Sequence, residues 1–176
     1  KDFRALTKTL NLSNDDFIRT TKKRHKIASE NLWKKLFDNN HIYLSKYSGW
    51  YALRDEAFYS EKEITNGKAP TGAEVTWVEE ESYFFDLSKW QDQLLNFYDE
   101  NPTFIYPISR MNEVKSFVKS GLRDLSVSRT SFEWGVKVPN NNNHIMYVWL
   151  DALTNYLSAV GYPDINNIEY INFWPS

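Results

Sequence analysis

The sequence contains no cysteine. That excludes a disulfide scaffold and any metal site built on thiolates, and it points to a cytoplasmic chain. Long apolar runs are missing too: nothing approaches the roughly 18 consecutive apolar residues of a membrane span, and no segment reads as a signal peptide. Nor is there a large excess of one charge, the formal net charge being −2 over 176 residues. The balance hides an asymmetry, since residues 1–35 hold 10 Lys/Arg against 4 Asp/Glu and the remainder 11 against 19. Any polyanion should therefore meet the front of the chain. What is plentiful is apolar and aromatic material, 41% and 16% of the residues, enough to bury the core of one domain, or of one and a part.

The most informative stretch is His144-Ile-Met-Tyr-Val-Trp-Leu-Asp-Ala-Leu-Thr-Asn-Tyr156. The unbroken apolar run Ile145 to Leu150 predicts a strand buried on both faces, central in a parallel sheet. Asp151 stands where a helix cap belongs. Counted from Trp149, the residues Ala152, Leu153 and Tyr156 fall at i+3, i+4 and i+7, so a helix would turn all four to one side as a slot of two aromatic walls, one small residue and one aliphatic. In open α/β sheets ligands bind outside the carboxyl ends of strands, where this slot would lie. The alternative is that the four are ordinary core.

The front of the chain, residues 1–40, reads as helical. Phe3, Leu6 and Leu10 mark one face, Ser13 and Asp16 suit the cap of a new turn, and Ile27, Ala28, Leu32, Trp33, Leu36 and Phe37 mark a longer helix ending at Asn39-Asn40. Between them Arg19, Lys22, Lys23 and Lys26 share a face if helical, a cation row able to follow a phosphate backbone or simply a solvated face. His25, a lone histidine in this run, suits packing or the surface better than acid–base work. From His41 to Phe85 the pattern is strands and turns, with Ile42–Leu44, Trp50–Leu53 and Glu74–Val78 as strands and 66–72 as a breaker. Glu79, Glu80 and Glu81 alternate faces on a strand and read as solvated. Ser88 and Gln91 suggest a capping box for a helix burying Leu87, Trp90, Leu94 and Phe97. A further helix over about Met111–Ser120 should turn Val114, Phe117 and Val118 inward before Gly121. Leu125–Arg129 alternates as a strand, and Phe132, Trp134, Val136 and Val138 continue the period of two up to Pro139 and four asparagines. Ile168–Trp174 heads towards another strand.

Taken together, Tyr147-Val-Trp-Leu-Asp-Ala-Leu-Thr-Asn-Tyr156, Asp15-Asp-Phe-Ile-Arg-Thr-Thr21, Tyr47-Ser-Gly-Trp-Tyr51, Glu80-Glu-Ser-Tyr-Phe-Phe85, Asn112-Glu-Val114 and Asp124-Leu-Ser-Val-Ser-Arg129 resemble, in the same order, the blocks of the methionyl-tRNA synthetases. The resemblance covers essentially the whole chain. It implies an α/β fold, a section of a class I nucleotide-binding, Rossmann-like domain interrupted by an inserted α+β connective-peptide domain. The expected parts are the helical end of the first catalytic half over 1–40, the insertion over 41–140, and the start of the second half over 141–176.

The implied function is activation of methionine with ATP and Mg2+, followed by transfer to tRNA(Met), catalysed by positioning and electrostatic stabilisation rather than covalently. Trp149, Ala152, Leu153 and Tyr156 would form the methionine pocket. Leu153 stands where relatives have proline, and a thioether suits aromatic walls. Arg129 would lie at the mouth of the active site and meet a carboxylate or phosphate, its alternative being an ion pair with Asp124. Arg19, Lys22, Lys23 and Lys26 would face tRNA. Many relatives carry a zinc knuckle, but Ala52, Asp55 and Ala69 stand near its ligand positions, so no zinc is expected. The two ATP-binding signatures of the class are absent, which makes the expected chain an interior section, inactive alone. The competing readings are another class I synthetase, for isoleucine, valine or leucine, although nothing resembles a threonine-rich editing pocket, and a non-catalytic RNA-binding module supported by the basic row.

Overall fold

A computed structural model describes residues 2–55, 57–131 and 133–175, the side chains of Asp2, Tyr47 and Ala57 lying outside that description. The chain divides into two compact units, one made of residues 1–36 together with 133–176, the other of residues 37–132. Phe132, expected in a strand, lies outside the described residues.

The second unit is built on an antiparallel sheet. Strand β1 (Ile42–Ala52) pairs along its length with β3 (Thr76–Phe85), from Ile42 opposite Phe85 to Tyr51 opposite Thr76. Ser48-Gly49 does not interrupt β1, because cross-strand partners continue through both positions. The short β2 (Ala57–Tyr59) and β4 (Leu125–Ser126) complete the order β2-β1-β3-β4. Directly opposed aromatics fix the register: Tyr43 stacks on Phe84 at 5.9 Å and Trp50 meets Trp77 edge-on at 5.3 Å. Such pairs contribute about 0.2–1 kcal/mol each beyond an alanine pair.

Helices α3 (Gln91–Glu100) and α4 (Ile108–Lys119) pack together in this unit. Ser88 and Gln91 make no capping box. A 3-10 turn over Leu87–Trp90 precedes α3, and the Gln91 side chain instead accepts through Oε1 from Leu122 N at 2.9 Å. Leu87, Trp90 and Leu94 are half-buried and Phe97 exposed, while α4 buries Met111 and Val118 and leaves Phe117 68% exposed. A helical period locates an apolar stripe to within about one residue, and Met111 takes the inward place expected of Phe117.

In the first unit, α1 spans Asp2–Thr9 and α2 begins at Lys23, running to Asp38 so that its last two residues count with the second unit, and nothing is helical around Ser13. Strand β5 is Ser128–Arg129 in the second unit. The first unit then resumes with β6 (Lys137–Val138), antiparallel to β7 (Asn141–Met146). Residues 133–136 are not strand. Pro139-Asn140, with Asn140 at φ 65, turns the chain between Val138 and Asn141, so the asparagine run supplies one turn residue and the start of β7 rather than a loop. Proline followed by a positive-φ residue is the pattern of a type II turn.

The expected strand over Ile145–Leu150 is therefore shifted and shortened. His144, Ile145 and Met146 are buried in succession, as a strand covered on both faces requires, but the ladder to β6 is antiparallel. At Tyr147 (φ −68, ψ 146) the chain turns into α5 (Val148–Leu153), so Asp151 lies within the helix rather than capping it. Apolar periodicity does not tell the end of a buried strand from the first turn of the helix that follows. After Thr154 comes α6 (Asn155–Ala159), and Ile168–Phe173 is helix α7, not a strand, capped by Asn167 accepting from Glu169 N at 2.9 Å.

Candidate functional site

Helices α5 and α6 invert the usual arrangement. Along them Asp151, Thr154 and Ser158, at i, i+3 and i+7, turn inward: Thr154 is 1% exposed and Ser158 2%. Outward stand Val148, Trp149, Leu153 and Tyr156, of which Trp149 is 61% and Tyr156 64% exposed, with Ala152 half-buried between them. A helix packed by hydrophobic burial alone would do the reverse. Thr154 Oγ1 donates to the carbonyl of Leu150 at 2.7 Å, a back-bond of the kind that bends helices and that marks the break between α5 and α6.

The inward side is held by His25, wholly buried on α2. Its Nε2 lies 2.7 Å from Asp151 Oδ1 and its Nδ1 3.0 Å from Ser158 Oγ. Ser29, one turn on, donates to the His25 carbonyl at 3.1 Å and stands 3.3 Å from Nε2. Among the described residues no buried side-chain polar atom lacks a partner. A cavity of about 160 Å³ in the same unit is lined by Thr20, Thr21, Lys26, Glu133, Trp134 and Asp151 among others. It is mixed in charge and lacks all four of the outward residues at issue.

Of the basic row, Lys23 and Lys26 lie on the exposed side of α2. Arg19 is exposed but precedes the helix, its carbonyl accepting from Lys22 N at 2.9 Å, and Lys22 Nζ donates to the Phe17 carbonyl at 2.7 Å. The four do not form one helical face. Arg24, outside that row, pairs with Asp16 at 2.5 Å.

Arg129 is half-buried at the end of β5, its Nη1 donating to Ser126 Oγ at 2.5 Å and to the Ser128 carbonyl at 2.7 Å. Asp124 is engaged elsewhere, accepting from Tyr43 Oη at 2.6 Å and from Ser88 N at 3.0 Å. The bond to Asp124, with burial adding to it, pushes the Tyr43 hydroxyl up to about 12. Burial pushes Asp124 up, but the Tyr43 and Ser88 bonds outweigh it and hold the carboxyl below its ordinary range.

Glu80 is not simply solvated: its Oε1 accepts from Thr130 N and Thr130 Oγ1, each at 2.6 Å, and from Ser131 N at 3.1 Å, fixing the backbone just beyond Arg129. At the zinc-knuckle positions, Ala52 and Ala69 are buried in an apolar cluster with Ala73 and Val75, against which Trp50, Tyr59 and Ile64 pack. Asp55 accepts from Thr71 Oγ1, from Tyr59 Oη at 3.0 Å and from Arg54 Nε at 3.2 Å. The Thr71 bond chiefly, against burial and helped by Tyr59 and Arg54, holds its carboxyl below the ordinary range. Alanines and one hydrogen-bonded carboxylate do not fit a tetrahedral zinc.

A family profile described as tRNA synthetases class I (M) matches residues 1–76 and 63–176. The chain belongs to that family. The chain is 65% identical over 177 residues to the methionine–tRNA ligase of Rickettsia bellii, covering 100% of itself and 35% of that protein. It is 53% identical to that of Brucella suis, over 99% of itself and 35% of the relative, and 52% identical to that of Bacillus subtilis, over 99% and 28%. Among solved structures, Mycobacterium tuberculosis methionyl-tRNA synthetase in complex with methionyl-adenylate superposes with a TM-score of 0.88 at 50% identity, over 99% of this chain and 35% of that one. The apo form of the same enzyme gives a TM-score of 0.83 over 99% and 36%. The chain thus spans about a third of the length of these relatives. Among the described residues no helix is long and apolar enough to cross a membrane.

Proposed function

We propose that this chain supplies the amino-acid side-chain pocket, and part of the tRNA-facing surface, of a methionine–tRNA ligase that forms methionyl-adenylate from methionine and ATP with Mg2+ and transfers the methionyl group to tRNA(Met) in the cytoplasm. The observation that carries the reading is the outward apolar face of α5 and α6. Trp149, Leu153 and Tyr156, with Ala152 between, are accessible, and aromatic edges suit a thioether by roughly 0.3–1.5 kcal/mol per contact. The chain matches about a third of its relatives' length, and the opposite wall and most of the groups that hold ATP and its Mg2+ would come from outside the matched part. Residues 41–140 would be the connective-peptide insertion, a reading supported by the compact unit at 37–132 between two stretches of the other unit. That domain would hold no zinc.

Lys23 and Lys26, with Arg19 and Lys22 beside them, would track tRNA phosphates, and Arg129 would meet a carboxylate or phosphate of the reacting group. The test is Trp149→Phe in the full-length enzyme. Pyrophosphate exchange should show a methionine KM raised so that kcat/KM falls on the order of 10- to 200-fold, the worth of about 1–3 kcal/mol of pocket contact, with the ATP KM moving far less and no preference for isoleucine or valine. An enzyme that is folded, unchanged in methionine kinetics and much less stable would overturn it.

A further inference from the structure

The outward aromatics are fixed from the inside. Residues two apart on a helix lie about 200° apart around its axis. Holding Asp151 inward therefore turns Trp149 outward on α5, and holding Ser158 inward turns Tyr156 outward on α6. Both inward residues are held by one side chain, Asp151 through Nε2 of His25 at 2.7 Å and Ser158 through Nδ1 at 3.0 Å. Helices of six and five residues have little stability of their own; helical backbone continues through Thr154 (φ −61, ψ −13), and the back-bond there permits a bend whose size an outside tie can fix. The imidazole is suited to it: a flat, rigid ring with one hydrogen-bonding atom on each side, wholly buried, and sequestered from competing water. Ser29 on the same helix closes the remaining polar contacts around it.

We infer that His25 is a positioning residue for the amino-acid pocket, the spacer that sets the distance and tilt between the Trp149 and Tyr156 walls by tying α5 to α6. The inference rests on the pocket reading above and adds to it the residue that governs its shape, acting through Asp151 and Ser158 because its own side chain is wholly buried.

In the full-length enzyme, His25→Gln keeps an amide within reach of Asp151 but loses the rigid spacer, and Ser158→Ala removes one leg while leaving the imidazole. Each should raise the methionine KM in pyrophosphate exchange, by about tenfold for His25→Gln, with the ATP KM within about twofold and kcat little changed. Discrimination against the longer thioether ethionine should relax in both. The double variant should cost less than the product of the two single effects, since both cut the same tie. If His25→Gln fails to fold, Ser158→Ala alone decides. Methionine and ATP constants that worsen together in step with a loss of melting temperature would make His25 an ordinary core residue and overturn the inference, as would unchanged methionine kinetics in folded variants. Trp149→Phe in the same assay separates the two failures. If it raises the methionine KM while the His25 and Ser158 variants do not, the positioning role alone is wrong. If it does not, the pocket reading has failed first.

Discussion

Gly135 lies beneath β7, and replacing it with alanine gives a cost that can be worked from two separate causes. The first is backbone: Gly135 sits at φ 141, where an L side chain is strained by about 1–3 kcal/mol. The second is a collision: an added Cβ would come within 2.4 Å of Ile145 Cγ2, where carbon atoms prefer roughly 3.5–4.0 Å. Ile145 is 2% exposed, so its methyl has nowhere to go without moving β7, and overpacking of this kind typically costs about 1–3 kcal/mol. The sum for Gly135→Ala is roughly 2–6 kcal/mol. Gly121→Ala is the control, because Gly121 has φ 104 and nothing within 4 Å of the added Cβ, so it carries backbone strain alone. Urea denaturation of both variants in the full-length enzyme, followed by tryptophan fluorescence, should place Gly135→Ala at the larger loss, and adding Ile145→Ala to it should recover part of the difference. A Gly135→Ala protein no less stable than Gly121→Ala would refute the packing argument, and with it the placement of β7 against this glycine.

Other consequences can be checked independently. Replacing Lys23 and Lys26 with Glu should weaken tRNA charging more than adenylate formation and flatten the salt dependence of tRNA binding by roughly one unit of slope per lost phosphate contact; equal loss in both steps would refute the interface. Elemental analysis of the full-length protein after chelation should find no stoichiometric zinc, and Asp55→Ala should lower thermal stability without any change in metal content. The Tyr43 hydroxyl, at about 12 in the fold against an ordinary value of 10.0, has its folded value raised. Its bond to Asp124 therefore contributes fully below pH 10 and is lost as the pH rises through 12. Tyr43→Phe should accordingly differ from the parent in denaturation at pH 8 and converge with it above pH 12.

The helical spacing that groups the candidate pocket residues is legible in the sequence, but the side of the helix they take is not. Trp149, Ala152, Leu153 and Tyr156 were singled out by helical spacing, and that spacing equally described a buried stripe. What separates the two is the burial of Asp151, Thr154 and Ser158 on the other side, and that depends on His25, more than a hundred residues away in the chain. A lone histidine among lysines carries no local mark of burial, because its partners are brought to it only by the fold. The basic row does not share one helical face, for a different reason: Arg19 would extend the face only if the helix began four residues before Lys23, and nothing in a run of cations marks its first turn. Glu80 looked solvated because alternation on a strand says which face a side chain takes, not what lies against that face, here the amides of Thr130 and Ser131. The strand–helix boundary at Tyr147 is invisible within six consecutive apolar residues, and β1 reads as two short strands because nothing in the sequence shows that β3 pairs with it straight through Ser48-Gly49, whereas α2 follows from a pattern extended enough to survive local ambiguity.

The cluster of Ala52, Ala69, Ala73 and Val75, with the Asp55 carboxylate beside it, also determines how the loop between β2 and β3 comes apart. A segment cross-linked by a metal opens in one step when the metal is withdrawn, and is indifferent to mild denaturant until then. One held by small apolar contacts and a few hydrogen bonds has no such threshold. Its amides, those of Ala69, Gly72 and Val75 among them, should exchange with solvent deuterium through frequent local openings while β1 and β3 stay closed. Chelators should leave that exchange untouched, and sub-denaturing urea should accelerate it smoothly.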